Sequence, residues 1–308
     1  MTIVVALGGN ALLKRGERLE AEVQRANVAR AADAIAALAR EHALVVTHGN
    51  GPQVGLLAMQ SEAIEGIAPY PLDILGAESE GMIGFLIEEA LESRLPARHV
   101  VTLLTQVEVS REDPAFARPT KPIGPLCSEA DARALERSRG WKMAAEGGRW
   151  RRIVPSPEPL RILELPAIRL LLSAGAIVIC TGGGGIPVEI RPSGAVRGVE
   201  AVIDKDLAAA LLARELGAGA LLLLTDSDAV YLDWGSSAAR ALAGTVSPAD
   251  LRKHSFAPGS MQPKVEAACR FVEAGGGMAG IWRLEDAAAI LEGRRGTTVK
   301  QRLGPHPA

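Results

Sequence analysis

Four consecutive glycines, Gly182 to Gly185, follow an unbroken apolar run, Ile177-Val178-Ile179-Cys180, with a single threonine between them. A short run that is apolar at every position, not at alternate ones, fits a strand buried on both faces, as in a parallel sheet covered by helices. Glycines at the end of such a strand let backbone N–H groups approach an anion with no Cβ in the way. In open α/β sheets that carboxyl edge is where ligands bind. The stretch continues into Asp204-Lys205-Asp206 and an Ala/Leu-rich helix. An aspartate there can cap the first-turn N–H groups while holding the lysine ammonium toward a phosphate. Taken alone, the tripeptide also reads as an N-cap followed by a core helix.

The same design recurs along the chain. Residues 3–7 read as a buried strand ending in Gly8-Gly9-Asn10, and residues 44–46 as another leading into Gly49-Asn50-Gly51. Two Gly-Asn strand ends about forty residues apart imply neighbouring parallel strands whose loops meet at one edge. Between them Val23, Val28, Ala31, Ala32, Ile35 and Leu38 recur at a helical period. A second helix runs to Leu91 with Met82, Ile83, Leu86 and Ala90 as its apolar stripe, and residues 99–109 read as one long strand. Further on, residues 220–224 form a strand ending in Thr225-Asp226-Ser227-Asp228. A glycine turn at Gly259 precedes a helix beginning near Lys264, and residues 278–282 give the last strand. Strands alternating with helices predict an α/β chain, an open, mainly parallel sheet in a three-layer α/β/α sandwich.

Composition changes at about residues 111–157, where prolines cluster and where Trp141 and Trp150 lie. Residues 141–145 and 149–154, separated by Glu146-Gly147-Gly148, predict a twisted hairpin. So much proline and charge between core elements predicts a small protruding lid. Within it, Pro119-Thr120-Lys121-Pro122-Ile123-Gly124-Pro125 reads as a rigid loop presenting Lys121.

Several chemistries are excluded. No third glycine follows Gly49-x-Gly51 or the Gly182 run at dinucleotide-fingerprint spacing, since Val54, Pro187 and Val188 stand there, and no Gly-Lys pair exists for a Walker A loop. There is no His-Glu-x-x-His pair and no Gly-x-Ser-x-Gly elbow. With 34 basic and 36 acidic residues the chain has no general attraction for nucleic acid or an anionic membrane, so a cationic site must be local. Cys127, Cys180 and Cys269 lack metal or disulfide spacing and read as reduced thiols. Residues 170–188 are uncharged, but the glycines and Pro187 argue against a spanning helix; with no leader pattern at the start, a cytoplasmic location is expected. Glycine loops, aspartates and isolated lysines remain: the inventory of phosphoryl transfer, in which positioning and charge neutralisation do most of the catalysis. An acceptor that is already an anionic oxygen requires no general base.

Seven segments in order carry a resemblance: ALGGNALL (6–13), VVTHGNGPQVG (45–55), PTKPIGP (119–125), RRIVPSPEP (151–159), GGGGIPV (182–188), GVEAVIDKDLAAALLA (198–213) and GSM-x-PKV (259–265). From first strand to last helix the chain resembles the carbamate kinases of the amino-acid-kinase family. The acetylglutamate kinases are similar in fold but place a lysine before the first Gly-Gly, where this chain has Ala6-Leu7, and lack the lid lysine. The resemblance implies reversible phosphoryl transfer between ATP and carbamate, with ADP and carbamoyl phosphate as the other pair. It implies that Gly8, Gly9, Asn10, Gly49, Asn50, Gly51, Gly183 and Gly184 line the phosphoryl and carbamate site. Lys121, Lys205 and Lys264 would neutralise the transferring group, and Asp206 would orient those lysines. Thr225, Asp226, Asp228, Tyr231 and Met261 would lie by the nucleotide. Mg²⁺ would arrive with ATP, held mainly by phosphate oxygens and water, with no metal-ligand residues assigned. Residues 1–212 would form the phosphoryl-site lobe and residues 213–308 the nucleotide lobe, in a homodimer. Gln262, Glu78 and Thr181 depart from the family pattern, at positions where a changed substrate would show. A kinase for another small carboxylate and a non-catalytic ATP- or anion-binding regulator are the alternatives; the lid lysine speaks against the first and the complete lysine set against the second.

Overall fold

A computed structural model describes residues 1–14, 16–257, 259–284 and 287–301, with the side chains of Asn10 and Ala288 outside that description. From the amino end, β1 (Thr2–Leu7), the single turn α1 (Gly9–Leu12), α2 (Ala21–Ala39), β2 (Ala43–His48), α3 (Gly51–Glu62) and α4 (Leu72–Glu92) lead to β3 (Val100–Thr102) and β4 (Gln106–Glu108). The inserted unit contributes β5 (Lys121–Cys127), α5 (Glu129–Arg139), β6 (Lys142–Glu146) and β7 (Arg149–Val154). The chain returns through β8 (Arg161–Ile162), α6 (Leu165–Ser173), β9 (Ile177–Ile179), β10 (Ile186–Ile190), β11 (Val196–Gly198) and α7 (Lys205–Leu216). It ends with β12 (Ala220–Thr225), β13 (Tyr231–Leu232), β14 (Arg240–Ala241), β15 (Gly244–Val246), α8 (Pro248–Leu251), α9 (Met261–Glu273), β16 (Met278–Arg283), α10 (Ala287–Leu291) and β17 (Thr297–Val299).

Eight strands form one sheet in the order β15-β17-β16-β12-β1-β2-β9-β3, parallel throughout except at the β16–β17 pair. Alternate side chains of the central strands feed two cores. Val4, Ala6, Val45 and Val178 pack under α6, α7 and α9, while Ile3, Val5, Leu7 and Val46 pack under α2, α4 and α10. That is why the strands carry no polar alternation: both faces are covered, and each large side chain so removed from water contributes about 1.5–3 kcal/mol. The register is what matters for the site. Leu7 lies beside both His48 and Leu224, so β1, β2 and β12 end level and their following loops emerge side by side.

The structure departs from the sequence expectation at three places that bear on the site. Residues 99–109 are two strands, not one: Val100–Thr102 belongs to the main sheet, and Gln106–Glu108 to a separate four-stranded sheet, β11-β10-β4-β8. At the step between them the N–H of Thr105 donates to Glu80 on α4 at 3.2 Å in place of a strand partner. The Pro119–Pro125 segment is no free loop: from Lys121 it is strand β5 at the edge of the three-stranded sheet β5-β7-β6, where Pro122 and Pro125 are tolerated. The helix expected near Lys264 starts at Met261, which puts the lysine in its first turn.

The hairpin expected at 141–154 is present as β6 and β7, and α5 packs beside it, closed at its start by Ser128, which accepts from Asp131 N–H at 3.1 Å, and at its end by left-handed Gly140. Ile123 and Val154 of this unit pack with Val54, Ala58, Leu72 and Leu75 of α3 and α4. The approach is as close as backbones allow: a Cβ on Gly55 of α3 would fall 1.9 Å from the Gly124 Cα. The unit therefore rests against α3 as a cover.

Candidate active site

The first level of the site is the row of strand ends. Gly8 donates its N–H to Leu224 O at 2.9 Å and Gly49 donates to Leu7 O at 3.0 Å, so these two amides tie the loops to the sheet. Gly9 and Gly51 open helices α1 and α3, where first-turn amides have no acceptor within the helix. Asn50 stands at the N-cap position of α3, but its side chain makes no capping bond; its Nδ2 donates instead to Ser79 Oγ at 2.9 Å. Gly183 crosses directly over it: a Cβ there would meet the Asn50 amide at 2.1 Å, and the backbone has φ +66°, so only glycine fits. Gly184 follows with φ +100° against Ile203. Asn10 lies in α1, but its side chain is outside the described residues.

The second level is a cluster of lysines and aspartates at the start of α7. Asp204 is the N-cap, accepting from Asp206 N–H at 2.9 Å and Leu207 N–H at 3.4 Å through Oδ1. Its other oxygen, Oδ2, holds Lys121 Nζ at 2.5 Å. Asp206 holds Lys205 Nζ through Oδ1 at 2.5 Å and Lys264 Nζ through Oδ2 at 3.0 Å. The expectation that Asp206 orients all three lysines needs correcting: Lys121 enters from the lid strand β5 and is paired with the cap residue Asp204. The physical reason is that both oxygens of Asp206 are already engaged, while a capping aspartate needs only one of its own.

The heart of the cluster is buried, Lys205 to 9% and Asp206 to 3% exposure, while Lys121 and Lys264 reach it half-buried. Loss of water pushes the Lys205 ammonium down to about 8, against the attraction of Asp206. For Asp206 burial acts upward, but the two lysines outweigh it and hold the carboxyl well below the usual carboxylate range. Lys264, also desolvated, is nonetheless raised by Asp206. Three ammonium groups on two carboxylates leave a surplus positive charge in a dry place, which suits an anion that becomes more diffuse during reaction.

Beside this cluster a cleft of about 470 Å³ is lined by Gly8, Gly9, Thr225, Asp226, Ser227, Tyr231, Trp234, Ser260, Met261 and Lys264. It brings four of the five expected nucleotide residues to the phosphoryl end. Asp228 is not on its lining; it stands behind, accepting from the Tyr231 hydroxyl at 2.8 Å and facing Arg283 at 3.8 Å. Sequence reasoning missed Ser227, Ser260 and Trp234. Trp234 is 68% exposed and meets Tyr231 edge-on with centroids 5.0 Å apart. A tryptophan three residues after Tyr231, in a polar loop after a core strand, was a signal available in the sequence. Also missed were Asp204 as the partner of Lys121, and two buried groups under the Gly182 turn. His48 is pushed down to about 4 by burial, and Glu80 is pushed up to about 8 by burial against the pull of two backbone N–H donors. Of the departures noted in the sequence, Gln262 is exposed on the first turn of α9, Glu78 is exposed on α4, and Thr181 is buried at the head of the glycine turn. Among the described residues no group of three carboxylate, histidine or cysteine side chains could hold a metal ion.

The model of the amino acid kinase family matches residues 1–279. A carbamate kinase of Rhizobium meliloti (strain 1021) is 53% identical over 302 residues, covering 97% of this chain and 93% of that protein. One from Escherichia coli (strain K12) is 50% identical over 97% of this chain and 99% of its own. Among solved structures, carbamate kinase from Giardia lamblia bound to citric acid superposes with a TM-score of 0.91 at 38% identity, covering 97% of this chain and 98% of that one. The same protein bound to AMP-PNP gives 0.88 at 38% identity, with the same coverage.

Proposed function

Because the chain belongs to the amino acid kinase family, and within it to the carbamate kinases, we propose that it is a phosphotransferase acting between ATP and carbamate, with ADP and carbamoyl phosphate as the products of the forward direction. The observation that carries this reading is the convergence of Lys121, Lys205 and Lys264 on Asp204 and Asp206, between the glycine-lined strand ends and the cleft at Thr225–Trp234. In that arrangement the nucleotide lies along Thr225, Asp226, Tyr231 and Met261, with Asp228 supporting Tyr231 from behind. Its terminal phosphoryl group reaches Gly8, Gly9 and the lysines. Carbamate sits against Gly49, Asn50, Gly51, Gly183 and Gly184, and Asn10 belongs to the same wall by its place in α1.

Transfer is direct and in line. The acceptor is a carboxylate oxygen already bearing charge, so no side chain needs to remove a proton. Lys205 and Lys264 face the equatorial oxygens of the transferring group, Lys121 closes over it with the lid, and the two aspartates fix the lysines in place beforehand. Both oxygens of Asp206 are engaged by ammonium groups, which also hold its carboxyl below the usual carboxylate range, so its part is to anchor the lysines. Family members use ATP, generally with Mg²⁺, and we take the ion to be carried mainly by phosphate oxygens and water. When bound, Mg²⁺ supplies further charge neutralisation at the β- and γ-phosphates.

We assign the phosphoryl and carbamate site to residues 1–212 and the nucleotide cleft to residues 213–308, although β12, β16, β17 and β15 extend the same sheet. No helix among the described residues is long and apolar enough to cross a membrane. We take the protein to be cytoplasmic and homodimeric.

The test is ATP formation from ADP, Mg²⁺ and carbamoyl phosphate, with acetyl phosphate as comparison. Turnover with carbamoyl phosphate well above that with acetyl phosphate is expected. Efficient use of acetyl phosphate alone would transfer the assignment to another small carboxylate. ADP binding with no turnover on either would favour a nucleotide-binding regulator.

A further inference from the structure

Glu80 has no part in the steps above, yet it is a carboxyl group only 1% exposed, carried by α4 to the underside of the glycine turn. Its Oε1 accepts the Gly182 N–H at 2.7 Å and its Oε2 the Thr105 N–H at 3.2 Å. Thr105 in turn uses Oγ1 to accept the Thr181 N–H at 3.0 Å and donates the same hydroxyl to Leu103 O at 2.7 Å. Successive amides at the head of the turn, Thr181 and Gly182, are thus gripped by two partners that also grip each other. The backbone they hold is bent: Thr181 has φ +49°, a left-handed conformation that a β-branched residue adopts only where its surroundings impose it. A buried carboxyl group is costly unless its oxygens are engaged. Glu164 lies near enough to raise the cost, and His48 packs against Gly182 beside Glu80, where a Cβ would meet both side chains. An apolar side chain would fill this space at less expense in desolvation, but it could not accept an N–H.

We propose that Glu80 is a positioning residue for phosphoryl transfer: with Thr105 it clasps the Thr181 and Gly182 amides and so fixes the Gly183–Gly184 backbone that lines the phosphoryl site. The proposal rests on the phosphotransferase reading given above. Its effect passes through the turn and not through any contact with substrate.

The experiment compares Glu80→Gln and Thr105→Val with the natural enzyme in the ATP-forming direction, with rates referred to folded protein. Glu80→Gln keeps the shape but turns an amide N–H group toward a backbone N–H. Thr105→Val keeps the shape but removes the acceptor for Thr181. Each is expected to lower kcat at least ten-fold while the KM for ADP stays within two-fold, because the nucleotide cleft is built from other loops. The double variant is expected to lose little more than the worse single one, since both loosen the same turn. A side chain serving only stability would alter the folded fraction and leave kcat per folded site unchanged. Values of kcat within two-fold of the natural enzyme in both variants overturn the proposal. Should Glu80→Gln fail to fold, Thr105→Val decides alone by the same criterion. Should the natural enzyme not use carbamoyl phosphate, the reaction assignment fails separately. The clasp is then read from amide hydrogen exchange of residues 181–184, expected at least ten-fold faster in the variants and unchanged if no clasp exists.

Discussion

Lys205 concentrates the chemistry of the site in one side chain. It opens α7 directly behind its cap, is paired with Asp206 at 2.5 Å, and lies against Gly49, whose added Cβ would sit 3.4 Å from the Lys205 Cδ. Lys205→Ala is expected to lower kcat by roughly 10²–10³, the scale of losing one preorganised donor to a transferring group. Near-natural turnover would remove it from the mechanism. Because burial holds this ammonium down to about 8, its charge is present below that pH and lost above it. The value of kcat/KM, which reports the free enzyme, should therefore fall as pH rises through about 8. The decline should disappear in Lys205→Arg, whose guanidinium stays charged, whatever rate that variant retains. Lys14 is the control: it is exposed, and its backbone exchanges hydrogen bonds with Glu17, the N–H donating to the carboxylate at 2.8 Å and the carbonyl accepting from Glu17 N–H at 3.1 Å, so Lys14→Ala should leave kcat and KM unchanged in the same assay. These lysines were legible in the sequence because each sits in a distinctive local setting. The pairing of Lys121 with Asp204 was not, since the two residues are 83 positions apart and nothing local links them.

At the scale of elements, the lid and α3 behave as a pair of surfaces in contact. Gly55 and Gly124 let α3 and β5 touch at backbone distance, and Lys121 is on the same strand as Gly124. Gly55→Ala should push the strand outward, costing about 1–3 kcal/mol as overpacking does, and should draw Lys121 away from Asp204. Thermal denaturation would register the first effect. Steady-state kinetics should register the second as a lower kcat with ADP affinity retained, and an unchanged kcat would mean that lid placement does not govern Lys121. The hairpin of this unit was readable from its Gly-Gly turn. Its helix α5 was not singled out, because ten of its eleven residues escape burial and only Ala132 faces inward, so no apolar stripe marks it. The single long strand expected at residues 99–109 shows the converse: the apolar pattern is continuous, but Thr105 is captured by Glu80 and the chain changes sheets.

For the whole molecule, the buried charges set how stability depends on pH. Glu80 has its folded-state pKa raised to about 8, so any stability tied to its protonated form is complete below the ordinary carboxylate pKa and is lost as pH rises toward 8. Asp206 works in the opposite sense: its contribution is present above the ordinary value and lost as acid protonates it. Chemical denaturation across pH 4.5–8 should show Glu80→Gln declining less steeply than the natural protein, by a few kcal/mol over the interval. Parallel curves would mean that the carboxyl group is not held at the raised value.

The sequence by itself determined the central strands β1, β2, β9, β12 and β16, the glycine exits at the ends of β1, β2 and β9, and the lysines. Each of these follows from local period, local chain geometry or residue type. Only the tertiary structure decided which carboxylate holds which lysine, that β1, β2 and β12 end level, and that Glu80 lies beneath the Gly182 turn. Those facts depend on strand register and on the crossing of helices over the sheet, which bring together residues far apart in sequence, and no local pattern encodes such distances.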